Sequence, residues 1–374
     1  MSPLLEAYDL VGIPLANRVV MAPMTRCRAK NTVPDAQTVL YYRQRAGAGL
    51  IISEGSQISA EGTGYLYTPG IYTPEQVNGW KQVTKAVHEE DGKMFIQLWH
   101  VGRMSHVSLQ ENGALPVSSV SVAAGNSNCY AYSESGEPGP IQASVPRALE
   151  TSEIARITSD FVTAGVQSMR AGFDGVEVHG ANGYIFDQFT NGALNTRADE
   201  YGGSTMNRLR FTLETVDALA NEIGSTRVGI RLSPFGRLYD MQPFEDEENT
   251  WLTLANELSK RNLAYVHLSD QTAFIGVGIS REFLGKFRDA YKGTLILTGA
   301  LDQDAGEELV ELGLTDLAGY GRPYVSNPDL VERFRNGWPL SPVDMPTLYT
   351  GDKKGYADYP AYSKQLESVD VDSD

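Results

Sequence analysis

The densest chemistry in the chain lies in the run His179-Gly180-Ala181-Asn182-Gly183-Tyr184. It follows directly on an apolar segment that reads as a buried strand. His179 and Asn182 can both donate hydrogen bonds to one acceptor, as stabilisation of a developing oxyanion requires. Tyr184 carries a hydroxyl that stays protonated at neutral pH, the ordinary tyrosine value being about 10, so it suits a general acid. Metal binding is the weaker reading and no metal site is expected. No second histidine or carboxylate stands at a chelating offset, and His100, His106 and His267 lie on other segments. The bland alternative is a His and a Tyr that serve structure alone.

Further polar groups gather where other apolar segments end. These are Pro23-Met24-Thr25-Arg26, Ser53-Glu54-Gly55, Gln97-Leu98-Trp99-His100, Arg231, Thr298-Gly299-Ala300 and Gly319-Tyr320-Gly321-Arg322. A period of two puts Gln97 with Trp99 on one strand face, and Glu177 with His179 on another. Polar groups on an inner face need partners, which a ligand with a polar ring edge or a satisfied core network would supply. Gly299, Gly321 and Arg322 together suit a phosphate, through backbone N–H groups and a guanidinium fork. Glu54 has no evident partner.

The elements that must carry these groups alternate. Strands are expected at Arg18–Met24, Leu50–Ile58, Lys93–His100, Gly175–Gly180, Val228–Pro234, Ala264–Asp270, Thr294–Ala300 and Leu317–Arg322. Helical patterns cover Pro74–Glu90, Thr151–Ala171, Met206–Ile223, Glu247–Lys260, Gln303–Leu312 and Pro328–Phe334. Thr151 is expected as an N-cap, and Pro328 in a first helical turn. Eight near-continuous apolar strands alternating with helices predict an α/β fold, a (β/α)8 TIM barrel, with chemistry at the C-terminal strand ends. The beat breaks at Val101–Arg147, a Gly/Ser/Asn/Pro-rich stretch with little helical period, expected to be a lid or an ordered excursion after strand three. One domain over 1–360 and a polar acidic tail over 361–374 are expected.

Composition narrows the function classes. The chain has 374 residues, 31 Lys plus Arg and 47 Asp plus Glu, a formal net charge of −16. That balance argues against nucleic-acid binding and against docking on anionic lipid. Two cysteines, Cys27 and Cys129, form no Cys-x-x-Cys pair and exclude an iron–sulfur cluster. No apolar run reaches the ~18 residues of a membrane span, and no secretory signal is read at the N-terminus. A cytoplasmic protein is expected.

The sequence resembles the old yellow enzyme family of flavin-dependent ene-reductases. The resemblance runs from Asn17-Arg18-Val19 to Gly355-Tyr356-Ala357-Asp358-Tyr359-Pro360. It includes Met21-Ala22-Pro23-Met24-Thr25-Arg26, Gln97-Leu98-Trp99-His100, Gly102-Arg103, Gly172-Phe173-Asp174 and the His179–Tyr184 run. Asn195-Thr196-Arg197, Tyr201-Gly202-Gly203-Ser204, Gly321-Arg322-Pro323-Tyr324 and Asn327-Pro328-Asp329-Leu330 continue it. Thr25 is similar to the subgroup with Thr, not Cys, at that position.

The resemblance implies non-covalent FMN, reduced by NADPH or NADH. It implies that Thr25 meets the flavin carbonyl next to N5, and that Gln97 and Arg231 hold the pyrimidine edge. Pro23 and Gly55 would give backbone contacts, and Gly299, Gly321 and Arg322 would hold the phosphate. His179 and Asn182 would grip the substrate oxygen, Tyr184 would deliver a proton, and Tyr65, Trp99 and Tyr349 would line the pocket. Gly55 stands where many members have Ala, Thr298 where a small residue is common, and Met206 where Glu is usual. The partners implied are small electron-poor alkenes and a nicotinamide cofactor, in a monomer or homodimer. The alternatives are a flavin-free phosphate-binding aldolase or isomerase barrel, which colour of the protein would exclude, and a non-catalytic flavin binder, which NADPH turnover with an enone would exclude.

Overall fold

In the computed structural model, which describes residues 2–362, eight parallel strands close a barrel. They are β1 (Val19–Met21), β2 (Leu50–Gln57), β3 (Met94–Trp99), β4 (Gly175–Gly180), β5 (Val228–Leu232), β6 (Tyr265–Ser269), β7 (Leu295–Thr298) and β8 (Leu317–Tyr320). Each strand pairs with the next along the chain, and β8 pairs with β1. Ten of the helices are α1 (Ala36–Arg43), α2 (Pro74–His88), α3 (Thr151–Arg170), α4 (Ile185–Thr190), α5 (Thr205–Ile223), α6 (Glu247–Ser259), α7 (Thr272–Ile275), α8 (Arg281–Ala290), α9 (Gln303–Glu311) and α10 (Arg322–Ser326). The last one needed here is α11 (Leu330–Asn336). The TIM barrel expected from the alternation is therefore the fold. Of the expected tail over 361–374, residues 363–374 lie outside the described residues.

The strands form because their residues are apolar on both faces, one toward the barrel interior and one toward the helices. The helices start on local chemistry. At α2 the Thr73 hydroxyl accepts from the Gln76 N–H, and the Gln76 carboxamide accepts from the Thr73 N–H, so two otherwise unpaired donors are met. Two expected starts are corrected. Thr151 is already helical, and Glu150 is the cap, its N–H bonding the Glu153 carboxylate while the Thr151 hydroxyl turns to Asp199. Pro328 lies in the turn before α11, because Arg322–Ser326 winds into its own short helix straight after β8. Arg322 thus opens a helix and is not in a strand.

The interior changes character along the barrel axis. At the N-terminal end an antiparallel hairpin, Tyr8–Leu10 with Ile13–Leu15, plugs the opening. Leu10 and Leu15 pack on Val20, Ile52, Phe95, Tyr265, Ile296 and Leu317. Two residues further along the same strand faces the side chains turn polar: Gln97, His267, Thr298. The excursion after β3 is ordered. It contains a second hairpin, Asn128–Tyr132 with Pro138–Gln142, and a two-residue pairing of Val117–Ser118 with Arg147–Ala148.

Near the mouth, three arginines bind main chain and not carboxylates. Arg26 donates to the Leu348 and Gly355 carbonyls, and Arg28 to those of Thr347, Asp352 and Lys354. They pin the segment that carries Tyr349. Arg103, 1% exposed, donates to the Ala123 carbonyl (3.1 Å) and the Tyr239 carbonyl (2.9 Å). It clamps the excursion to the loop after β5.

Glu54 on β2 does have partners. Its carboxyl accepts from the Arg26 N–H at 3.3 Å and the Tyr42 hydroxyl at 3.5 Å. Burial pushes this carboxyl up to about 7 against those donors. Between the ordinary carboxylate range and that value the folded protein holds a proton that the unfolded chain has lost. Its contribution to stability is present at acid pH and lost as pH rises through about 7. Glu54→Gln is therefore expected to gain Tm relative to the parent between about pH 5 and pH 8. Thermal melts across that range check this, and a pH-independent difference would show Glu54 ionised throughout.

Candidate active site

The floor of the site is set by strand register. Glu177 pairs with Gln97 across β4 and β3, His179 with Arg231 across β4 and β5, and Arg231 with His267 across β5 and β6. Parallel strands in this register bring their inward polar groups to adjacent levels. Gln97 Nε2 donates to Glu177 Oε1 at 2.8 Å. Glu177 Oε2 meets His267 Nδ1 at 2.8 Å, and His267 Nε2 meets the Thr298 hydroxyl at 2.6 Å. Burial holds His267 below the usual imidazole value, so the ring is neutral. Nδ1–H then donates to Glu177 and Nε2 accepts from Thr298. Thr298, larger than the resemblance suggested, is part of this chain.

Above the floor several polar atoms find no protein partner. Arg231 Nε is buried without a hydrogen bond, and no ion pair reaches the guanidinium among the described residues. Burial lowers its pKa, with the Glu177 carboxyl the main opposing influence. His179 Nδ1 is likewise buried and unmatched, and burial followed by the Arg231 charge pushes its pKa well down. His179 is thus a neutral imidazole with one N–H to give. Unsatisfied buried donors of this kind are costly unless a ligand meets them. A guanidinium on β5 with an unmatched Nε and a carboxamide on β3, with β4 between them, fit the carbonyl-rich pyrimidine edge of a flavin.

The turn after β4 places the rest. Asn182 (φ +59°) and Gly183 (φ +75°) are both left-handed. A Cβ on Gly183 would come within 2.7 Å of the Leu238 carbonyl, so only glycine fits that crossing. Tyr184 caps α4 and leans over the same cavity. Its ring is 5.0 Å from that of His179 and 5.0 Å from Trp99, edge-on to both. Its hydroxyl lies 3.3 Å from that of Tyr239 and 3.4 Å from that of Tyr65, which are themselves 3.0 Å apart. Burial raises the Tyr184 and Tyr65 pKa values well above the ordinary tyrosine range.

Above these groups lies a cavity of about 500 Å³ lined by Pro23, Thr25, Tyr65, Trp99, Tyr184 and Tyr239, among others. Tyr65 stacks on Trp99 at 5.6 Å. Gly55 gives that indole its place, since a Cβ there would lie 2.6 Å from the Trp99 ring. Tyr349 stands at the mouth, 54% exposed. Cys129 and Tyr130 of the excursion hairpin form a further wall. Gly299 and Gly321 follow β7 and β8 directly. The Arg322 side chain is exposed and lies over Phe274, 4.7 Å from its centroid. Among the described residues, no group of three or more His, Cys, Asp and Glu is placed to hold a metal, and no helix is long and apolar enough to cross a membrane.

Four residues of this site had no local sequence signal. Tyr239 sits in an irregular loop at φ +58°, Gln271 immediately precedes α7, and Ser233 and Asp187 act behind Asn182.

A closed barrel that carries a guanidinium, a carboxamide, an imidazole and a phenol toward the C-terminal ends of its strands has the groups a flavin-type oxidoreductase barrel needs. The NADH:flavin oxidoreductase / NADH oxidase family profile matches residues 4–341. The chain is 41% identical to 12-oxophytodienoate reductase 1 of Oryza sativa subsp. japonica, over 99% of this chain and 95% of that one. Morphinone reductase in complex with tetrahydroNAD superposes with a TM-score of 0.92 at 44% identity, covering 96% and 97% of the two chains. An old yellow enzyme homologue from Zymomonas mobilis gives 0.89 at 35% identity, over 96% and 99%. The chain belongs to this family, the old yellow enzyme family, and is an FMN-dependent oxidoreductase.

Arg231→Met is expected to raise the Tm of flavin-free protein, because it removes a buried charge without a partner. It is expected to weaken FMN binding by roughly 10–100-fold, the worth of hydrogen bonds to a charged donor. Melts of FMN-stripped protein and fluorescence titration with FMN measure both. An unchanged FMN affinity would take Arg231 out of the cofactor site.

Proposed function

We propose that the chain reduces the activated C=C bond of electron-poor alkenes, α,β-unsaturated carbonyls, nitroalkenes or maleimides, with NADPH or NADH as reductant. Support comes from relatives named for 12-oxophytodienoate and morphinone reduction, and from a solved relative holding tetrahydroNAD. The observation that carries the reading is a buried imidazole with an unmatched nitrogen, His179, whose ring lies 5.0 Å from that of the cavity-lining phenol Tyr184. FMN, when bound, supplies the two-electron hydride chemistry between the nicotinamide and the alkene Cβ.

The residues then divide the work. Gln97 and Arg231 hold the pyrimidine edge, with Pro23, Thr25 and Gly55 beside the ring. Gly299, Gly321 and the start of α10 at Arg322 take the phosphate. His179 and Asn182 donate to the substrate oxygen and stabilise the charge that develops there as hydride reaches Cβ. Tyr184 transfers its hydroxyl proton to Cα, which completes net addition of two hydrogens. The phenolate left behind accepts hydrogen bonds from Tyr65 and Tyr239 until solvent returns the proton. Trp99, Tyr65 and Tyr349 wall the cavity and limit water. Two unpaired thiols, Cys27 and Cys129, favour a reducing, cytoplasmic setting, and we assign residues 1–360 to the catalytic barrel.

Tyr184→Phe separates the roles. NADPH is expected to bleach the flavin at close to the parent rate. Reoxidation by a cyclic enone is expected to slow by about 10²–10⁴, the usual worth of a general acid. A nitroalkene is expected to respond less, because its nitronate can leave before carbon protonation. Stopped-flow traces of both half-reactions decide. Unchanged enone reoxidation would mean that the proton comes from elsewhere.

A further inference from the structure

We propose that Gln271 is a positioning residue that decides which end of the Asn182 carboxamide faces the cavity. The proposal rests on the reading of Asn182 as a donor to the substrate oxygen.

The two ends of a primary amide are nearly alike in shape, so only hydrogen-bond partners choose between them. A backbone N–H is a donor that cannot be reversed. Two of them, from Arg237 at 2.9 Å and Leu238 at 3.3 Å, point at Gln271 Oε1. That fixes Gln271, whose Nε2 must then lie on the other side, where it donates to Asn182 Oδ1 at 3.0 Å. The Ser269 hydroxyl adds a second donor to the same oxygen at 3.3 Å. With Oδ1 committed to two donors, Asn182 Nδ2 is the end whose hydrogens remain for a ligand.

The backbone of Asn182 cannot turn to compensate. Its N–H donates to Ser233 Oγ at 2.7 Å, Ser233 donates to Asp187 at 3.2 Å, and the same Asp187 oxygen takes the Gly183 N–H at 2.8 Å. Only the side-chain torsions of Asn182 are free, and Gln271 sets them. Gln271 is 2% exposed, so water does not substitute for it. The bonds that orient Gln271 also secure the loop carrying Tyr239. One buried amide therefore ties the oxygen-binding donor to the hydroxyl cluster around Tyr184.

The test uses FMN-loaded enzyme and para-chlorophenol, whose phenolate should stack on the oxidised flavin and give a long-wavelength band. In Gln271→Glu the carboxylate accepts where the amide donated, which draws Asn182 Nδ2 away from the cavity. Asn182→Ala is expected to weaken phenol binding by about 10-fold or more, the worth of a hydrogen bond to a charged acceptor. Gln271→Glu is expected to cost a similar factor, and the double variant no more than Asn182→Ala alone. Gln271→Met, which adds no charge, serves if the acidic variant does not load FMN. It should weaken binding several-fold in the parent background and not in Asn182→Ala. Additive losses would mean plain charge repulsion or general damage and would overturn the role of Gln271. Full phenol affinity in both Gln271 variants, with Asn182→Ala impaired, would overturn it while leaving Asn182 in place. Full affinity in Asn182→Ala would remove the donor reading itself, and the proposal with it.

Discussion

A carboxyl group at the centre of a closed barrel has to be met by donors on every side, and in this protein that group is Glu177, 0% exposed. Gln97 satisfies one oxygen and His267 the other. Much of the upper barrel follows from those two bonds. Gln97 is held in one rotamer, the His267 tautomer is chosen, and Thr298 is recruited to the far ring nitrogen. Arg231 stands on β5 between the two strands that carry Glu177 and His267, so its charge has a nearby counter-charge without being consumed by it. A direct ion pair would have spent the guanidinium. Without one, the guanidinium Nε is left unmatched.

Desolvation acts on the next level in opposite directions. The same burial that disfavours an imidazolium at His179 disfavours a phenolate at Tyr184. One environment therefore keeps a neutral donor and a neutral acid ready together, with no dedicated base or counter-ion for either. The cluster of Tyr65, Tyr184 and Tyr239 extends the effect, since three hydroxyls within mutual reach can share protons but gain little from losing one.

The strands were legible because a parallel strand buried on both faces reads as an unbroken apolar run, and β4 coincides with its expected span Gly175–Gly180. The other seven strands all end a residue or more early. The ladder stops at Met21 and Tyr320 because Ala22–Arg26 and Gly321–Arg322 leave the barrel to line its mouth. Local rules failed where a tertiary partner outbid them. Thr151 has the chemistry of a cap, but Asp199 takes its hydroxyl. Pro328 resembles a first-turn proline, but it falls in the turn between α10 and α11, whose cap is Asp329. The hairpin strand Pro138–Gln142 hid behind two prolines, which an edge strand tolerates and a central one does not. The run His179–Tyr184 announced itself because its neighbours in sequence are neighbours in the site. Tyr239, Gln271 and Arg103 did not, because their partners lie far along the chain.

Arg103 has a consequence for how such a site can change over generations. Its guanidinium holds the excursion and the loop after β5 through carbonyl oxygens at Val122, Ala123, Tyr239 and Asp240. A carbonyl is present whatever the side chain, so the clamp is indifferent to the identity of the residues it grips. Of the four, Tyr239 lines the cavity, and its side chain can change while the wall stays where it is. The protein thus separates the part of its surface that mutation can explore from the part that keeps the pocket closed. Diversification of substrate range need not begin with a loss of order.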